Sequence, residues 1–383
     1  MLAALTLAGV LLVVLPWLAY PAAVVALARL AGRRRAAEAA GAGATWPRVT
    51  CVLATRDAPD VVAERVADFL AQDYPADRLD VVVAVDAAAA AALLPALADA
   101  ARDPRVRVVA GDPPGGKCPA LNAAVRAAAG EVLLFSDARQ RFAPDVARKL
   151  VGALAADPRL GATSGRLVLP ADEASGLFRL YSRFELNLRA AEARLHSAVG
   201  VSGSVYAMRR ALWAELPAGL ILDDLYVPMR LLLGGHRVGF VEDAYAHETR
   251  RVNAGQEFRR KVRTLTGNYQ LCAWLPGVLV PGRNPVWVQF VCHKLLRLLL
   301  PVGVLLAGLG TAGLAWKAAH ALLGAGAWWL ALAAALGAGW VWLGPGAHAR
   351  VLRGLVVQFA SMQAAVAVAA VHGVRGRWDV WKA

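Results

Sequence analysis

Apolar residues form a long run at the start of the chain. Residues 2–30 are apolar with three exceptions, and Arg33, Arg34 and Arg35 follow directly. A helix of about 20 apolar residues spans a bilayer. A cleavable signal peptide has its positive charges before the apolar run, whereas here they come after it. The pattern therefore predicts an uncleaved transmembrane anchor over 1–30, with the arginines and the chain that follows them in the cytoplasm.

Further long apolar runs return near the other end of the chain. Separated by short basic links, each long enough or nearly long enough to span a bilayer, they cover residues 295–316, 321–343 and 355–371. We expect an interfacial segment and about three transmembrane helices over 276–373, then a short basic tail over 374–383. Three spans that start in the cytoplasm would put this tail outside, against the preference of arginine and lysine for the cytoplasmic side. The number of spans therefore stays open by one.

Between these runs, β-branched stretches alternate with alanine-rich ones. The pattern predicts strands over 49–54, 79–85, 106–110 and 132–135, and helices over 61–72, 87–101 and 117–129. Strand–helix alternation is typical of a doubly wound parallel sheet, which binds its ligands at the carboxyl ends of the strands. We expect one cytoplasmic α/β domain over 46–275.

The composition limits the class of protein. Of the 383 residues, 58% are hydrophobic, and the mean hydropathy of +0.47 excludes a disordered chain. A net charge of +14 is typical of nucleic-acid binders, but those proteins lack this hydropathy, so nucleic acid is not an expected partner. Because 18% of the residues are charged, a pure membrane bundle is also excluded. This composition fits a soluble domain joined to membrane spans.

Acidic residues follow three of the predicted strands. Asp57, Asp86 and Asp137 come just after strand ends, and Lys117 follows a pair of glycines at the start of a predicted helix. Taken singly, each aspartate is better explained as a cap of the next helix. Three of them at one edge of a sheet favour a converging polar site instead. A lysine at a helix start can hold a diphosphate through its charge and the helix dipole.

Several stretches of this middle region match a known family in the expected order. They are residues 116–124 (GKCPALNAA), 129–138 (AGEVLLFSDA), 199–210 (VGVSGSVYAMRR), 221–225 (ILDDL) and 259–268 (RRKVRTLTGN). Together they resemble the membrane-anchored family 2 glycosyltransferases of the cellulose synthase-like and poly-N-acetylglucosamine synthase-like superfamily. The resemblance implies an α/β GT-A fold with a mostly parallel sheet, flanked by transmembrane helices at both ends. It also implies a nucleotide-diphospho-sugar donor and a divalent cation, Mg²⁺ or Mn²⁺.

The resemblance assigns catalytic roles to three residues. Asp224 falls where the family has its general base, with Asp223 beside it as a supporting acid, and Arg263 would stabilise the diphosphate leaving group. Two adjacent carboxylates raise each other's pKa toward a working range. The alternative is that Asp223 and Asp224 only cap the helix predicted after them.

The same resemblance assigns the donor and acceptor sides. The residues that it implies for the nucleotide-sugar are Thr55, Asp57, Asp86, Lys117 and Asp137. Asp137 would also be the metal ligand, since hard divalent cations prefer carboxylate oxygens. Ser202 and Gly203 lie in the acceptor-side segment.

Two departures from the family pattern concern arginines. Arg139 stands where the family has a second metal-site acid, and a guanidinium has no lone pair to bind a metal. In the element QxxRW, Arg263 is kept, but Arg260 replaces the glutamine and Thr264 replaces the tryptophan. Because that aromatic residue holds the growing glycan in processive synthases, its loss favours transfer of one or a few sugars.

The expected function is that of a membrane-bound inverting glycosyltransferase. It would transfer sugar to a lipid-linked or membrane-proximal glycan acceptor, in contact with membrane lipids, from the cytoplasmic side of the cell's inner membrane. Two alternatives stay open. One is transfer onto polyprenyl phosphate, and the other is a catalytically inactive relative that acts as a scaffold.

Overall fold

The structure, a computed structural model, describes residues 1–31, 46–170, 176–249, 254–343 and 346–380. It divides into two compact units. The helical unit comprises Met1–Ala22, Asn253–Tyr269 and Val291–Ala383, and the sheet unit comprises Ala23–Val252 and Gln270–Phe290. The arginines at 33–35 and the last three residues of the predicted basic tail lie outside the described residues.

From residue 49 to residue 136 the strands and α-helices follow one another in the order that the alternating pattern predicts. The strands are β1 (Val49–Thr55), β2 (Leu79–Val85), β3 (Val106–Ala110), β4 (Val132–Ser136), β5 (Gln140–Phe142), β6 (Leu160–Val168), β7 (Tyr206–Arg209) and β8 (Arg237–Glu248). The α-helices are α1 (Leu2–Val14), α2 (Tyr20–Leu30), α3 (Pro59–Leu70), α4 (Ala90–Ala96), α5 (Lys117–Ala127), α6 (Val146–Ala156), α7 (Gly176–Leu195), α8 (Asp223–Leu233), α9 (Ala254–Trp274), α10 (Trp287–Phe290), α11 (Leu300–Leu323), α12 (Gly326–Leu343) and α13 (Ala347–Val374).

All eight described strands form one sheet. Its order is β3-β2-β1-β4-β7-β6-β8-β5. Four of the seven pairings between these strands are parallel: β3 with β2, β2 with β1, β1 with β4, and β6 with β8. The other three are antiparallel, and β7 accounts for two of them. The sheet is therefore mostly parallel, as the sequence predicts.

The central strands are buried on both faces. Nearly every residue of β1, β2 and β4 is buried, which explains why their sequences are continuous apolar runs rather than alternating ones. Helices α3 and α6 contribute to the core on this sheet, with Phe69 and Leu150 among its fully buried side chains. This packing holds the carboxyl ends of β1, β2 and β4 in fixed positions.

Some helix boundaries differ from the prediction. The helix expected over 87–101 is shorter: α4 ends at Ala96, and a separate 3₁₀ turn covers Ala100–Arg102. Pro95 lies in the last turn of α4 and has no amide hydrogen to continue the helical hydrogen bonds. The helix expected over 61–72 begins earlier, because Pro59 is well suited to the first helical position.

Long apolar helices make up the helical unit. Three stretches are long and apolar enough to cross a membrane, Leu2–Leu30, Trp287–Leu323 and Ala349–Val374, and a shorter apolar helix covers Gly326–Gly339. Helices α1 and α11 pack with their backbones very close. A Cβ atom on Gly9 would lie 2.2 Å from the amide nitrogen of Ala307, so only glycine fits there. Small residues allow this kind of approach between membrane helices.

A buried arginine joins α3 to β5 in the sheet unit. The side chain of Arg65 is fully buried, and its guanidinium lies 3.8 Å from the ring centre of Phe69 and 3.9 Å from that of Phe142. Arg65 forms an ion pair with Asp68, which also accepts a hydrogen bond from the amide of Phe142 at 3.1 Å. Burial lowers the pKa of Arg65 to about 10, against the opposing charge of Asp68. The buried charge is therefore held by one carboxylate and two aromatic faces.

We expect Arg65→Met to lower the free energy of unfolding by about 3 kcal/mol, because it leaves Asp68 without its partner and removes both cation–π contacts. Urea unfolding in detergent, followed by tryptophan fluorescence, measures the change. Arg102→Met is the matched control: Arg102 forms an ion pair of the same spacing with Asp99, but both side chains are more than 80% exposed. Its effect should stay within about 0.5 kcal/mol. Equal losses in the two variants would contradict this role of Arg65.

Candidate active site

The carboxyl ends of three neighbouring strands meet at one edge of the sheet. β1 ends at Thr55, β2 at Val85 and β4 at Ser136, so Asp57, Asp86 and Asp137 all follow strands that pair in parallel. This is the arrangement that the sequence predicts for the three acids. Their partners differ, however, and each acid has its own surroundings.

Lys117 lies between two of the predicted site residues. It is the first residue of α5, and its Nζ is 3.2 Å from Asp137 Oδ1 and 3.2 Å from Asp223 Oδ2. The exposed fraction is 31% for the Lys117 side chain, 43% for Asp137 and 9% for Asp223. Burial lowers the pKa of Lys117, but the charges of Asp137, Asp223 and Asp224 more than offset it, and the pKa stands well above its usual value. The ammonium group is therefore charged and pairs with both carboxylates.

Asp223 and Asp224 are the first two residues of α8, and neither side chain caps it. The cap position is Leu222, with no side-chain hydrogen bond to the helix start, so the capping alternative has no support here. Burial, followed by the neighbouring Asp223, raises the pKa of Asp224 from 3.8 to about 6, against the opposing charges of Lys117 and Arg189. A carboxylate with this pKa is mostly ionised at neutral pH, yet basic enough to accept a proton.

The segment with Ser202 and Gly203 contacts Asp224 on one side and Asp137 on the other. The amide of Val201 donates to the backbone oxygen of Asp224 at 2.9 Å, and a Cβ atom on Gly203 would lie 3.6 Å from Asp224 Oδ2. On the other side, the hydroxyl of Ser204 donates to Asp137 Oδ2 at 3.4 Å. The predicted acceptor-side segment thus lies next to the predicted base and the predicted metal ligand.

Asp86 holds the loop that precedes Lys117. Its Oδ2 accepts from the amide of Gly116 at 3.1 Å, and its Oδ1 accepts from the amide of Ala88 at 3.0 Å. Gly115 and Gly116 have φ angles of 92° and 99°, which glycine adopts readily, and a Cβ atom on Gly115 would lie 2.9 Å from Asp86 Oδ1. Asp86 therefore holds a local turn and positions the start of α5. It does not cap the next helix, because the N-cap of α4 is Ala89.

Asp57 pairs with the arginine that replaces the family's second acid. Nε and Nη2 of Arg139 donate to Asp57 Oδ1 at 3.0 and 2.6 Å. The amide of Asp57 donates to Thr55 Oγ1 at 2.9 Å, and the hydroxyl of Thr249 donates to the backbone oxygen of Arg139 at 2.6 Å. The sequence does not predict this ion pair, because Asp57 and Arg139 come from loops far apart along the chain.

Tyr206 is a site residue that the sequence reasoning missed. It is 1% exposed and stacks on Phe135, with ring centres 4.5 Å apart. Burial and then the charge of Asp223 raise the pKa of Tyr206 well above its usual value. Its hydroxyl has no hydrogen-bond partner within the described ranges. Its place in the stretch 199–210 was the signal that could have identified it.

Arg263 belongs to the helical unit, whereas the cluster described above belongs to the sheet unit. It lies on α9, in the portion of the helix that belongs to the helical unit. Its predicted contact with the leaving group stays a prediction. The remaining predicted residues, Thr55 to Asp224, all belong to the sheet unit.

A divalent cation fits these residues only if groups other than the protein side chains complete its coordination. Among the described residues, no three or more histidine, cysteine, aspartate or glutamate side chains come together as a metal cage. Asp137 is a half-exposed carboxylate that can offer an oxygen to an ion. Mg²⁺ is commonly bound in this way, by one or two carboxylates together with waters and substrate phosphates. The donor set suits an ion that arrives with a diphosphate.

An α/β sheet with acids at its carboxyl edge and a lysine at a helix start is typical of α/β proteins that bind a ligand at that edge. The family model described as "Glycosyltransferase like family 2" matches residues 47–267. The chain therefore belongs to glycosyltransferase family 2, and it is an enzyme of this class.

Relatives of known name agree with this family. An N-acetylglucosaminyltransferase of Bradyrhizobium elkanii is 36% identical over 129 residues, which are 33% of this chain and 70% of the relative. A second N-acetylglucosaminyltransferase, from Mesorhizobium japonicum, is 28% identical over 58% of this chain and 56% of its own length. A beta-monoglucosyldiacylglycerol synthase of Synechocystis is 27% identical over 59% of this chain and 48% of its own length. The chain thus spans about half the length of the last two relatives.

A solved structure supports the fold over the whole chain. A mannosyltransferase from Pyrobaculum calidifontis, in complex with GDP-Man and Mn²⁺, matches with a TM-score of 0.67 at 24% identity. The match covers 98% of this chain and 99% of that one. The fold is GT-A, with apolar helices at both ends of the chain.

The raised pKa of Asp224 predicts a pH-dependent effect of Asp224→Asn on stability. Its folded pKa of about 6 lies above the ordinary value of 3.8, so the stability that it contributes is complete below pH 4 and is lost as the pH rises through 6. A neutral asparagine avoids that loss. We expect the stability difference between Asp224→Asn and wild type to favour the variant by about 2 kcal/mol more at pH 8 than at pH 4.

Urea unfolding at the two pH values measures this difference. Asp77→Asn, at a carboxylate that is 81% exposed, serves as the control and should show no such dependence on pH. A difference that is the same at pH 4 and pH 8 for Asp224→Asn would contradict the raised pKa.

Proposed function

We propose that this chain is a membrane-bound inverting glycosyltransferase that moves a sugar from a nucleotide-diphospho-sugar to a lipid-linked or membrane-proximal glycan acceptor. The observation that carries the proposal is the position of Lys117, which pairs with Asp137 and with Asp223 beside Asp224. These contacts support a site in which Lys117 would bind phosphate, Asp137 would bind metal and Asp224 would accept a proton. This is the set of groups that sugar transfer from a diphosphate requires.

The donor side is built from the ends of β1, β2 and β4. A bound Mg²⁺ or Mn²⁺ supplies positive charge to the diphosphate oxygens as the sugar leaves. Asp137 would hold that ion, and Lys117 would give its charge to the same phosphates. Thr55, Asp57 and Asp86 line the nucleotide side, and Arg263 adds a guanidinium to the leaving group.

The acceptor side is built from α8 and the segment before it. The acceptor hydroxyl lies near Ser202 and Gly203 and gives its proton to the Asp224 carboxylate. Its oxygen forms a bond to the anomeric carbon while the bond from that carbon to the phosphate oxygen breaks, and the electron pair goes to the diphosphate. A single displacement, with the acceptor oxygen attacking from the side opposite the leaving group, would invert the anomeric centre.

The membrane helices and the altered QxxRW element support the rest of the proposal. We assign residues 1–30 to an anchor, 46–275 to the cytoplasmic catalytic domain and 276–373 to the membrane region of a multi-pass inner-membrane protein. The relatives named N-acetylglucosaminyltransferase and beta-monoglucosyldiacylglycerol synthase support sugar transfer at the cell envelope. Thr264 stands where a processive synthase has the aromatic residue that holds its glycan, which favours transfer of one or a few sugars.

The full chain in detergent should release nucleoside diphosphate from at least one member of a panel of UDP- and GDP-sugars, given Mg²⁺ or Mn²⁺ and a lipid extract. Mass spectrometry of the lipid fraction then identifies donor and acceptor together. Asp224→Asn should lower this release at least 100-fold and leave nucleotide binding nearly unchanged, since removing a general base costs about 10²–10⁴-fold. Asp60→Asn, at the start of α3, is the matched control with full activity. Release by no donor, or full release by Asp224→Asn, would refute the proposal.

The pH dependence of transfer should report the same carboxylate. Because burial and Asp223 raise the pKa of Asp224 to about 6, we expect kcat/KM to rise with pH through 6 and then level off. Below pH 5 the rate should fall about tenfold per pH unit. A profile that is flat between pH 5 and pH 8 would exclude Asp224 as the base.

A further inference from the structure

Both carboxylate oxygens of Asp137 already have partners within the protein. Oδ1 lies 3.2 Å from Lys117 Nζ, and Oδ2 accepts the Ser204 hydroxyl at 3.4 Å. A divalent cation that binds Asp137 therefore meets the charged ammonium of Lys117 on the same carboxylate. Two cations that share one carboxylate repel each other strongly when they are partly removed from water. The ion and the lysine must compete for Asp137.

Lys117 has a second anchor that lets it leave Asp137 without becoming unpaired. Its Nζ is equally close to Asp223 Oδ2, and the Asp223 side chain is only 9% exposed. The ammonium group has three donors, so it can keep Asp223 while another anion replaces Asp137. A diphosphate beside Asp137 is such an anion. Lys117 can thus move its charge from a carboxylate to a phosphate over a short distance.

We propose that Lys117 is a resident counter-ion of the metal site, and that its displacement from Asp137 couples divalent-cation binding to nucleoside diphosphate binding. The inference rests on the proposed function, because it concerns the same donor site. Without nucleotide, binding of the ion breaks the pair between Lys117 and Asp137, and the lysine forms no new pair in its place. With nucleotide, the displaced lysine pairs with the phosphates. Metal alone therefore binds weakly, and metal with nucleotide binds tightly.

This coupling must work in both directions. If nucleotide raises the affinity for metal by a given factor, metal raises the affinity for nucleotide by the same factor. The arrangement keeps the affinity for divalent cations low until the nucleotide of the donor is bound. It also keeps the buried Asp223 paired in both states.

Binding of Mn²⁺ to the full chain in detergent tests the proposal without any need for turnover. Electron paramagnetic resonance measures free Mn²⁺, first with protein alone and then with UDP or GDP. Lys117→Met should bind Mn²⁺ alone about tenfold more tightly than wild type, a gain of roughly 1.4 kcal/mol. The factor by which nucleotide strengthens Mn²⁺ binding should fall about tenfold in the same variant. Lys117→Arg, which keeps the charge, should resemble wild type in the absence of nucleotide.

Lys149 offers a matched control in the same unit. It also bridges two aspartates, at 2.8 Å from Asp145 and 3.1 Å from Asp243, and its side chain is 29% exposed. Lys149→Met should leave the affinity for Mn²⁺ unchanged. Asp137→Asn should abolish the tighter binding when combined with Lys117→Met, which shows that the ion is bound at Asp137.

A second variant distinguishes an effect on metal binding from a failure of Lys117→Met to fold. Lys117→Met leaves the buried Asp223 without a partner, so the double variant Lys117→Met with Asp223→Asn removes both charges of that pair. It should show the same gain in affinity for Mn²⁺ alone. Unchanged Mn²⁺ affinity in the folded double variant overturns the inference, and so does an equal gain in Lys149→Met.

The test also separates this inference from the proposed function. If wild type binds neither UDP nor GDP in the presence of Mn²⁺, the proposed function fails, while a gain in Mn²⁺ affinity for Lys117→Met still supports the competition at Asp137. If nucleotide binds but Lys117→Met shows the metal affinity and the coupling of wild type, the inference fails and the proposed function stands.

Discussion

The ion pairs of Lys117 connect the parts of the sheet unit from which the candidate site is built. Lys117 begins α5, Asp137 follows β4, and Asp223 begins α8, so three separate stretches of the chain meet at one ammonium group. Without this cation, a nearly buried Asp223 would stand beside Asp224 and close to Asp137 without the positive charge that pairs with it. Breaking such a pair is costly, because the partner that is left behind stays charged away from water. The arrangement of the site follows from that constraint.

The balance of charge also explains why Asp137 and Asp57 differ, although both follow parallel strands. Asp57 is paired with Arg139, so the arginine that replaces a metal-binding acid neutralises its neighbour across the edge of the sheet. Asp137 shares Lys117 with Asp223, and its carboxylate is more exposed than that of Asp57, 43% against 26%. One carboxylate is thereby held by a fixed guanidinium, and the other is held by a flexible ammonium that can exchange partners. This difference supports the proposal that a divalent ion binds at Asp137 and not at Asp57.

Much of the fold followed from the apolar pattern, because long buried strands leave a clear signal. The strands predicted over 79–85 and 106–110 coincide with β2 and β3, and the acids after β1, β2 and β4 lie at one edge as expected. The strands β5 to β8 were not predicted: β5 has three residues and β7 four, and two of the three antiparallel pairings involve β7. Their partners are distant in the chain, so local periodicity contains no information about them.

The sequence by itself determined the class of protein, the candidate residues and the apolar stretches at both ends, because composition, hydropathy and motif order are properties of the linear chain. The tertiary structure decided which of those residues touch. It pairs Lys117 with Asp137 and Asp223, and it pairs Asp57 with Arg139. It also brings Asp86 into contact with the loop before α5, and it buries Asp224 beside Asp223, which raises the pKa of Asp224 to about 6. These outcomes depend on distance and burial between residues from different loops, since a charge responds to the partners and the water around it and not to its place in the sequence.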